Sequence, residues 1–123
     1  MNMAEIRDWS GLAAYAALIF FLSSQSTLPV PMSFPNQDKL VHASAYAVMG
    51  LLAWRALKYR QDDWVLAVLA VGFASLYGVS DEFHQSFVVG RDADVWDWLA
   101  DTTGATLMVA WLYRRQCKKD TLA

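Results

Sequence analysis

The sequence predicts an all-α protein, an integral membrane bundle of four transmembrane helices with both termini in the cytoplasm. The first observation is that four apolar stretches divide the 123 residues, at roughly 9–26, 40–57, 64–80 and 96–113. The second is that eight of the ten Lys and Arg residues lie before the first stretch, at the junction of the second and third, or after the fourth. Only Lys39 and Arg91 lie on the other two connections. Because Lys and Arg accumulate on the cytoplasmic side of membrane proteins, this alternation fixes the predicted orientation.

Composition is the third observation. Hydrophobic residues make up 56% of the chain, above the roughly 45–50% of soluble domains. The alternative, a soluble four-helix bundle, should show a polar face along each helix, and residues 11–22 and 65–74 show none. All six tryptophans lie near the ends of the proposed helices, as expected at a bilayer interface.

The length predicts a single domain over residues 1–123, and the net charge of −2 predicts no nucleic-acid partner.

The first two helices should meet in a proline-containing connection. Helix 1 ends in a polar cluster at 23–27, and Pro29, Pro31 and Pro35 then prevent regular helix. Helix 2 begins near 36–38 and carries three polar side chains at i, i+4 and i+8, hence on one face: Asp38, His42 and Tyr46.

The last two helices repeat this concentration of polar groups. Asp62 and Asp63 are candidate caps for helix 3. Helix 3 runs into Asp81, Glu82, His84 and Gln85, where Asp81 shares a face with His84 and Gln85. Helix 4 opens with Asp97 and Asp101, one turn apart, and then has Gly104 and Ala105, which are small enough for another helix to pack closely. The single Cys117 predicts no internal disulfide.

The order of these motifs resembles the VanZ-like family of small bacterial membrane proteins. The matching segments are Ser24-Gln25, D-K-x-x-H-x-x-x-Y from Asp38 to Tyr46, Y-G-x-x-D-E-x-H-Q from Tyr77 to Gln85, Gly90-Arg91, and D-x-x-A-D-T-x-G-A from Asp97 to Ala105. They extend over about 80 residues in the family's order and spacing. The sequence departs from the family's pattern at Asp101, where that pattern usually has Asn. If this side chain has to donate a hydrogen bond, the aspartate would have to be protonated.

The resemblance implies a multi-pass protein of the bacterial cytoplasmic (inner) membrane, with the lipid bilayer as its surroundings and a role in the cell envelope. Because the family is named for a member linked to teicoplanin resistance, it also suggests a lipid-linked cell-wall precursor or a glycopeptide as partner. On this interpretation a polar site on the outer face binds an envelope molecule. The predicted binding residues are Gln25, Asp38, Lys39, His42, Tyr46, Asp81, Glu82, His84, Gln85, Arg91, Asp97 and Asp101.

Three alternatives stay open. One is an enzyme acting on a lipid phosphate or pyrophosphate, with His84 or His42 as base or nucleophile, an acid (Asp81, Glu82 or Asp38) orienting it, and Lys39 and Arg91 holding the phosphate. Another is a scaffold, in which the charges pair with one another to join helices 2, 3 and 4. In the third, metal-assisted alternative the ligands are carboxylates and imidazoles, although no H-E-x-x-H or dense Cys/His signature is present, and the sequence does not identify a cofactor. Its candidate ligands are Asp38, His42, Asp81, Glu82, His84 and Asp97.

Overall fold

The computed structural model describes residues 1–26, 31 and 33–122, apart from the side chain of Asp63. These residues form four α-helices and no strand, which confirms the all-α prediction. The helices are α1 (Met3–Ser23), α2 (Gln37–Leu57), α3 (Asp63–Gln85) and α4 (Val95–Leu122). Helix α2 therefore already contains Asp38 and Lys39, and α3 contains the whole 81–85 motif, so most of the predicted site lies on helix ends rather than in loops. The prediction for Pro29 lies outside the described residues.

The capping of the helix N-termini differs from the prediction. The side chain of Asn2 caps α1 by accepting the backbone N–H of Glu5 at 2.8 Å. Asn36 precedes α2 in a left-handed conformation, with φ of 62° and no side-chain cap, a conformation that Asn tolerates better than most residues. Asp62 precedes α3 as predicted, but its side chain makes no capping hydrogen bond.

Helix α2 lies at the centre of the bundle and contacts all three other helices, most extensively α4. The α2–α4 approach depends on glycine, as the small residues of helix 4 predict. A Cβ on Gly104 would overlap the backbone of Ala43, and a Cβ on Gly50 would lie 3.2 Å from the carbonyl oxygen of Ala105. Helix α1 packs on the other side of α2, where the Tyr15 hydroxyl donates to the Ala45 carbonyl oxygen at 2.7 Å.

Much of the exterior of the bundle is apolar. Bulky side chains point outward from the helices, among them Phe21 at 60%, Leu76 at 73% and Leu107 at 67% exposure. Within the described residues, two helices are long and apolar enough to cross a membrane, at Gln37–Leu57 and Trp64–Gln85. Only 39% and 28% of their most apolar windows are buried within the bundle, so neither resembles the enclosed core helix of a soluble protein. Helix α4 carries more charged residues than any of the other three helices.

One end of the bundle, where α1 and α3 begin and α2 ends, holds a group of ion pairs that we call the basic end. Asp8, which is buried, accepts from Arg55 at 2.9 Å and from the Tyr59 hydroxyl at 2.8 Å. Glu5, also buried, accepts from Arg60 at 3.0 Å. The hydrogen bond to Asp8 raises the pKa of Tyr59. Basic residues that orient the predicted topology thus also hold the start of α1 against the α2–α3 turn.

Candidate functional site

The opposite end of the bundle, where α1 and α3 end and α2 and α4 begin, holds a second polar group. We call it the polar end. Its buried polar side chains come from all four helices, and most of them are acidic or can bind a proton. They are Ser23, His42, Asp81, Glu82, Gln85, Asp97 and Asp101.

Lys39 joins α2 to the start of α4. Its ammonium nitrogen lies 2.6 Å from Asp97, 2.7 Å from Asp38 and 3.1 Å from Asp94. The backbone N–H of Trp96 and this ammonium group lower the pKa of Asp94, which lies in the loop before α4. The enzyme alternative expects Lys39 to hold a phosphate, but its three donor positions already face carboxylates. The scaffold alternative describes this residue better.

His42 is the histidine that the fold places among acids. Its Nδ1 lies 2.8 Å from Oδ1 of Asp101, and its Nε2 lies 3.7 Å from Oδ2 of Asp97. The close approach of Ala43 to Gly104 brings these side chains within reach across the α2–α4 contact. The tautomer of His42 decides the direction of the first contact: a protonated Nδ1 donates to the Asp101 carboxylate, and an unprotonated Nδ1 accepts from the carboxylic acid.

Asp81 joins the other three helices. It accepts from the Tyr46 hydroxyl at 3.2 Å and from the hydroxyl of Ser23. The side-chain amide of Gln85 in turn donates to the Ser23 oxygen at 3.3 Å. Asp81, Tyr46 and Gln85 were predicted site residues, whereas Ser23 was expected only as a hydrogen-bonding group at the helix end.

Glu82 and Asp101 each leave one carboxylate oxygen without a partner. Glu82 Oε2 accepts the backbone N–H of Asp94 at 3.0 Å. Glu82 Oε1 and Asp101 Oδ2 are buried and make no hydrogen bond to any described residue. One possible ligand atom from each of His42, Glu82 and Asp101 lies within 4.8 Å of the other two. This group differs from the predicted metal set. It keeps His42 and Glu82, adds Asp101, and leaves out Asp38, Asp81, His84 and Asp97.

Three predicted residues lie apart from these acids. The His84 ring stacks on Phe20, with centroids 4.2 Å apart, and its Nε2 lies 3.3 Å from the Ser24 hydroxyl oxygen. Among the described residues His84 pairs with no carboxylate, so an acid-oriented base at this position is not supported by the geometry. The Gln25 side chain donates to the Phe21 carbonyl oxygen of its own helix at 3.2 Å. The Arg91 guanidinium donates at 3.0 Å to the backbone oxygen of Gln25.

A cavity of about 70 Å³ opens between α1, α2 and α3 at the polar end. Its apolar wall includes Ile19, Leu22 and Val41. Its polar lining combines hydroxyl, amide, imidazole, carboxylate and guanidinium groups, from Ser23, Tyr46, Gln85, His42, Asp81 and Arg91. Enclosed sites for drug-sized ligands are usually about 300–1,000 Å³, so this cavity has room for one small polar group rather than for a whole glycopeptide.

Negative charge exceeds positive charge at the polar end. Six carboxylates, from Asp38, Asp81, Glu82, Asp94, Asp97 and Asp101, take part in its contacts. Among the described residues, Lys39 is the one Lys or Arg side chain within ion-pair distance of any of them. The Arg91 guanidinium instead donates hydrogen bonds to the backbone oxygens of Leu22 and Gln25. Because like charges in a low-dielectric site repel strongly, the arrangement favours bound protons or a bound cation.

Asp94 is the contributor that the sequence interpretation missed. Its side chain accepts the backbone N–H of Trp96 at 2.9 Å and contacts Lys39, while its own backbone N–H donates to Glu82. A signal was available, because an Asp immediately before a helical segment is a typical N-cap.

Comparison with known families identifies the relatives of the chain. The model of the VanZ/LLP1 family matches residues 8–116, nearly the whole length, so the chain belongs to that family. No curated protein and no solved structure matches it. Family membership and the two apolar helices together indicate a VanZ-like membrane protein.

Proposed function

We propose that this VanZ/LLP1 family member spans the bacterial cytoplasmic membrane four times and binds an envelope molecule at the polar end, on the outer face. The proposed partner is a lipid-linked cell-wall precursor, with a glycopeptide as the alternative. The polar end then acts as a recognition site in a cell-envelope function related to glycopeptide resistance.

The cavity at the polar end is the observation that carries this proposal. It holds His42, Tyr46, Asp81 and Arg91, which suit a head group, beside apolar side chains that suit the part of a lipid next to that head group. Its small volume favours a ligand that inserts one polar group and leaves its chain in the bilayer. A lipid-linked precursor has that form, whereas a glycopeptide would contact only the rim.

The orientation rests on the eight basic residues near the start of α1, near the α2–α3 turn and near the end of α4. Single cysteines at Phe34 and Asp92 should react with an impermeant maleimide in intact cells, and a cysteine at Gln61 should not. The native Cys117, which is exposed, serves as an internal control in the parent chain, where it should react only after permeabilisation. Labelling of Gln61 from outside would invert the topology and place the polar end in the cytoplasm.

Binding is tested with protein purified in detergent and two probes, a polyprenyl-diphosphate-linked disaccharide pentapeptide and teicoplanin. The variants His42→Asn and Arg91→Gln should weaken binding of the lipid-linked probe by about 10- to 100-fold, because a hydrogen bond to a charged group contributes about 1.5–3 kcal/mol. Glu5→Gln, at the basic end, is the control and should bind like the parent. Saturable binding that all three variants retain equally would contradict the proposed site, and saturation by teicoplanin alone would select the glycopeptide.

A second candidate function, an enzyme that hydrolyses a lipid phosphate, is favoured by one observation. The contact between His42 and Asp101 at 2.8 Å is the arrangement in which a carboxylate orients an imidazole base. On this proposal His42, rather than His84, takes the proton from an attacking water. Release of inorganic phosphate from a polyprenyl diphosphate should then be abolished by His42→Asn and kept by His84→Asn. Absence of release by the parent protein would leave recognition without turnover.

A further inference from the structure

We propose that His42, Glu82 and Asp101 form a binding site for a divalent transition-metal ion of the Zn²⁺ or Mn²⁺ type. The three residues come from α2, α3 and α4, so the ion would connect three helices at the polar end. The proposal concerns the ion alone and does not depend on which envelope molecule the protein binds.

The spacing of the three side chains is the first argument. One nitrogen or oxygen from each lies within 4.8 Å of the others. Ligands at about 2.0–2.2 Å from a tetrahedral Zn²⁺ are about 3.3–3.6 Å apart. Side-chain rotations that bring the three atoms closer by up to about 1.5 Å would therefore complete the site.

The two unpartnered oxygens are the second and independent argument. Glu82 is 8% exposed and Asp101 is fully buried, yet Glu82 Oε1 and Asp101 Oδ2 have no hydrogen-bond partner among the described residues. Buried polar atoms in native proteins are nearly always satisfied, and an exception indicates strain, a functional role or an ion or water. Two such oxygens on two of the three grouped residues are accounted for together by one cation.

The excess of negative charge around Glu82 and Asp101 is the third argument for a bound cation. The nearby Lys39 is already in contact with Asp38, Asp94 and Asp97, so it does not compensate Glu82. A buried carboxylate without a partner is strongly unfavourable. A divalent ion between Glu82 and Asp101 removes this excess of negative charge.

The ligand chemistry indicates the class of ion. An imidazole suits Zn²⁺ and other transition ions, whereas Mg²⁺ and Ca²⁺ prefer oxygen ligands alone. Metal-bound histidines usually have a carboxylate on the second ring nitrogen. His42 has one near each nitrogen, Asp101 at Nδ1 and Asp97 at Nε2. Three protein ligands also leave at least one position open for water or a ligand group, and His42 itself lines the cavity.

Metal binding is measured directly on the intact protein, purified in detergent with a tag that contains no histidines. The protein is stripped with a chelator, dialysed against micromolar Zn²⁺ or Mn²⁺, and its retained metal is determined by mass spectrometry. We expect one equivalent per chain. Glu82→Gln and Asp101→Asn should bind the ion at least about tenfold more weakly, since even the loss of a group that only orients a ligand costs about 10- to 100-fold. Asp101→Asn keeps the shape and size of the side chain, which makes it a mild change to the fold.

Two matched controls separate the site from general effects. Glu5→Gln removes a buried acid at the basic end and should keep one equivalent. Pulsed EPR of the Mn²⁺-loaded protein should show coupling to a nitrogen nucleus, which His42→Asn removes and His84→Asn keeps. No retained metal in the parent protein, or no nitrogen coupling in its Mn²⁺ spectrum, overturns the proposal whether or not any variant folds. Equal binding by the parent, Glu82→Gln and Asp101→Asn overturns it as well.

Discussion

Gly104 sets the distance between α2 and α4, and replacing it with Ala tests how the polar end is built. A Cβ added there would lie 2.7 Å from the carbonyl carbon and 2.8 Å from the Cα of Ala43, and it would overlap the carbonyl oxygen. All three atoms belong to the backbone, so no side chain can rotate away. The helices have to separate, and His42, adjacent to Ala43, moves away from Asp101, which lies three residues before Gly104.

The size of the effect follows from comparison with Gly72→Ala. Nothing lies within 4 Å of a Cβ added to Gly72, so that variant reports only the helix preference of Ala over Gly, about 1 kcal/mol in favour of Ala. Gly104→Ala gains the same preference but adds overpacking, which costs about 1–3 kcal/mol. The difference in free energy of unfolding between the two variants therefore measures the overpacking alone, and the backbone contact favours the upper part of the range.

The assay is the thermal midpoint of a fluorescent fusion, followed by size-exclusion chromatography in detergent. Gly72→Ala should unfold at or above the parent midpoint, and Gly104→Ala should unfold below Gly72→Ala. If the two variants unfold at the same temperature, the close α2–α4 approach is not present in the protein, and the contact between His42 and Asp101 loses its structural basis.

Two further predictions concern the ion pairs at the two ends. Lys39→Met should lower the free energy of unfolding by at least about 1–3 kcal/mol, because it leaves carboxylates such as Asp97 without their cation. The control Lys58→Met removes a longer contact of 3.7 Å and should have a smaller effect in the same melting assay. Equal midpoints for the two variants would contradict the role given to Lys39. Asp8→Asn should reduce the yield of monodisperse protein, because Asp8 is a buried acceptor at the basic end. Asp120→Asn, at an exposed position, should not reduce it. Normal yield of both variants would show that Asp8 does not hold the start of α1.

Helical periodicity predicted which residues share a face. Asp38, His42 and Tyr46, spaced by four, all make side-chain contacts at the polar end. The small residues at Gly104 and Ala105 correctly indicated a close helix contact. Both inferences need only the 3.6-residue repeat and side-chain size, which are local properties of the sequence.

The partners of each charged group were not predictable in the same way. The acid beside His42 is Asp101, on α4, rather than Asp81 or Asp38, and Lys39 binds carboxylates rather than a free site. These pairings depend on how far one helix is shifted along another, and a shift of one residue moves a side chain by about 1.5 Å along the axis. The stretch before the first apolar segment was likewise not predicted to be helical, so the contacts of Glu5 and Asp8 were not anticipated.

The two ends of the bundle use charge in opposite ways, and this contrast is the strongest argument that the polar end is functional. At the basic end the two buried acids, Glu5 and Asp8, each lie within ion-pair distance of at least one Arg. At the polar end buried acids outnumber the cations beside them, and two carboxylate oxygens have no described partner. A fold selected only for stability would match these charges or replace them with apolar residues, since well-packed apolar groups are often at least as stabilising as buried ion pairs. An excess of buried carboxylates at one end of the bundle is therefore best explained by a cation or a hydrogen-bond donor that binds there from outside the chain.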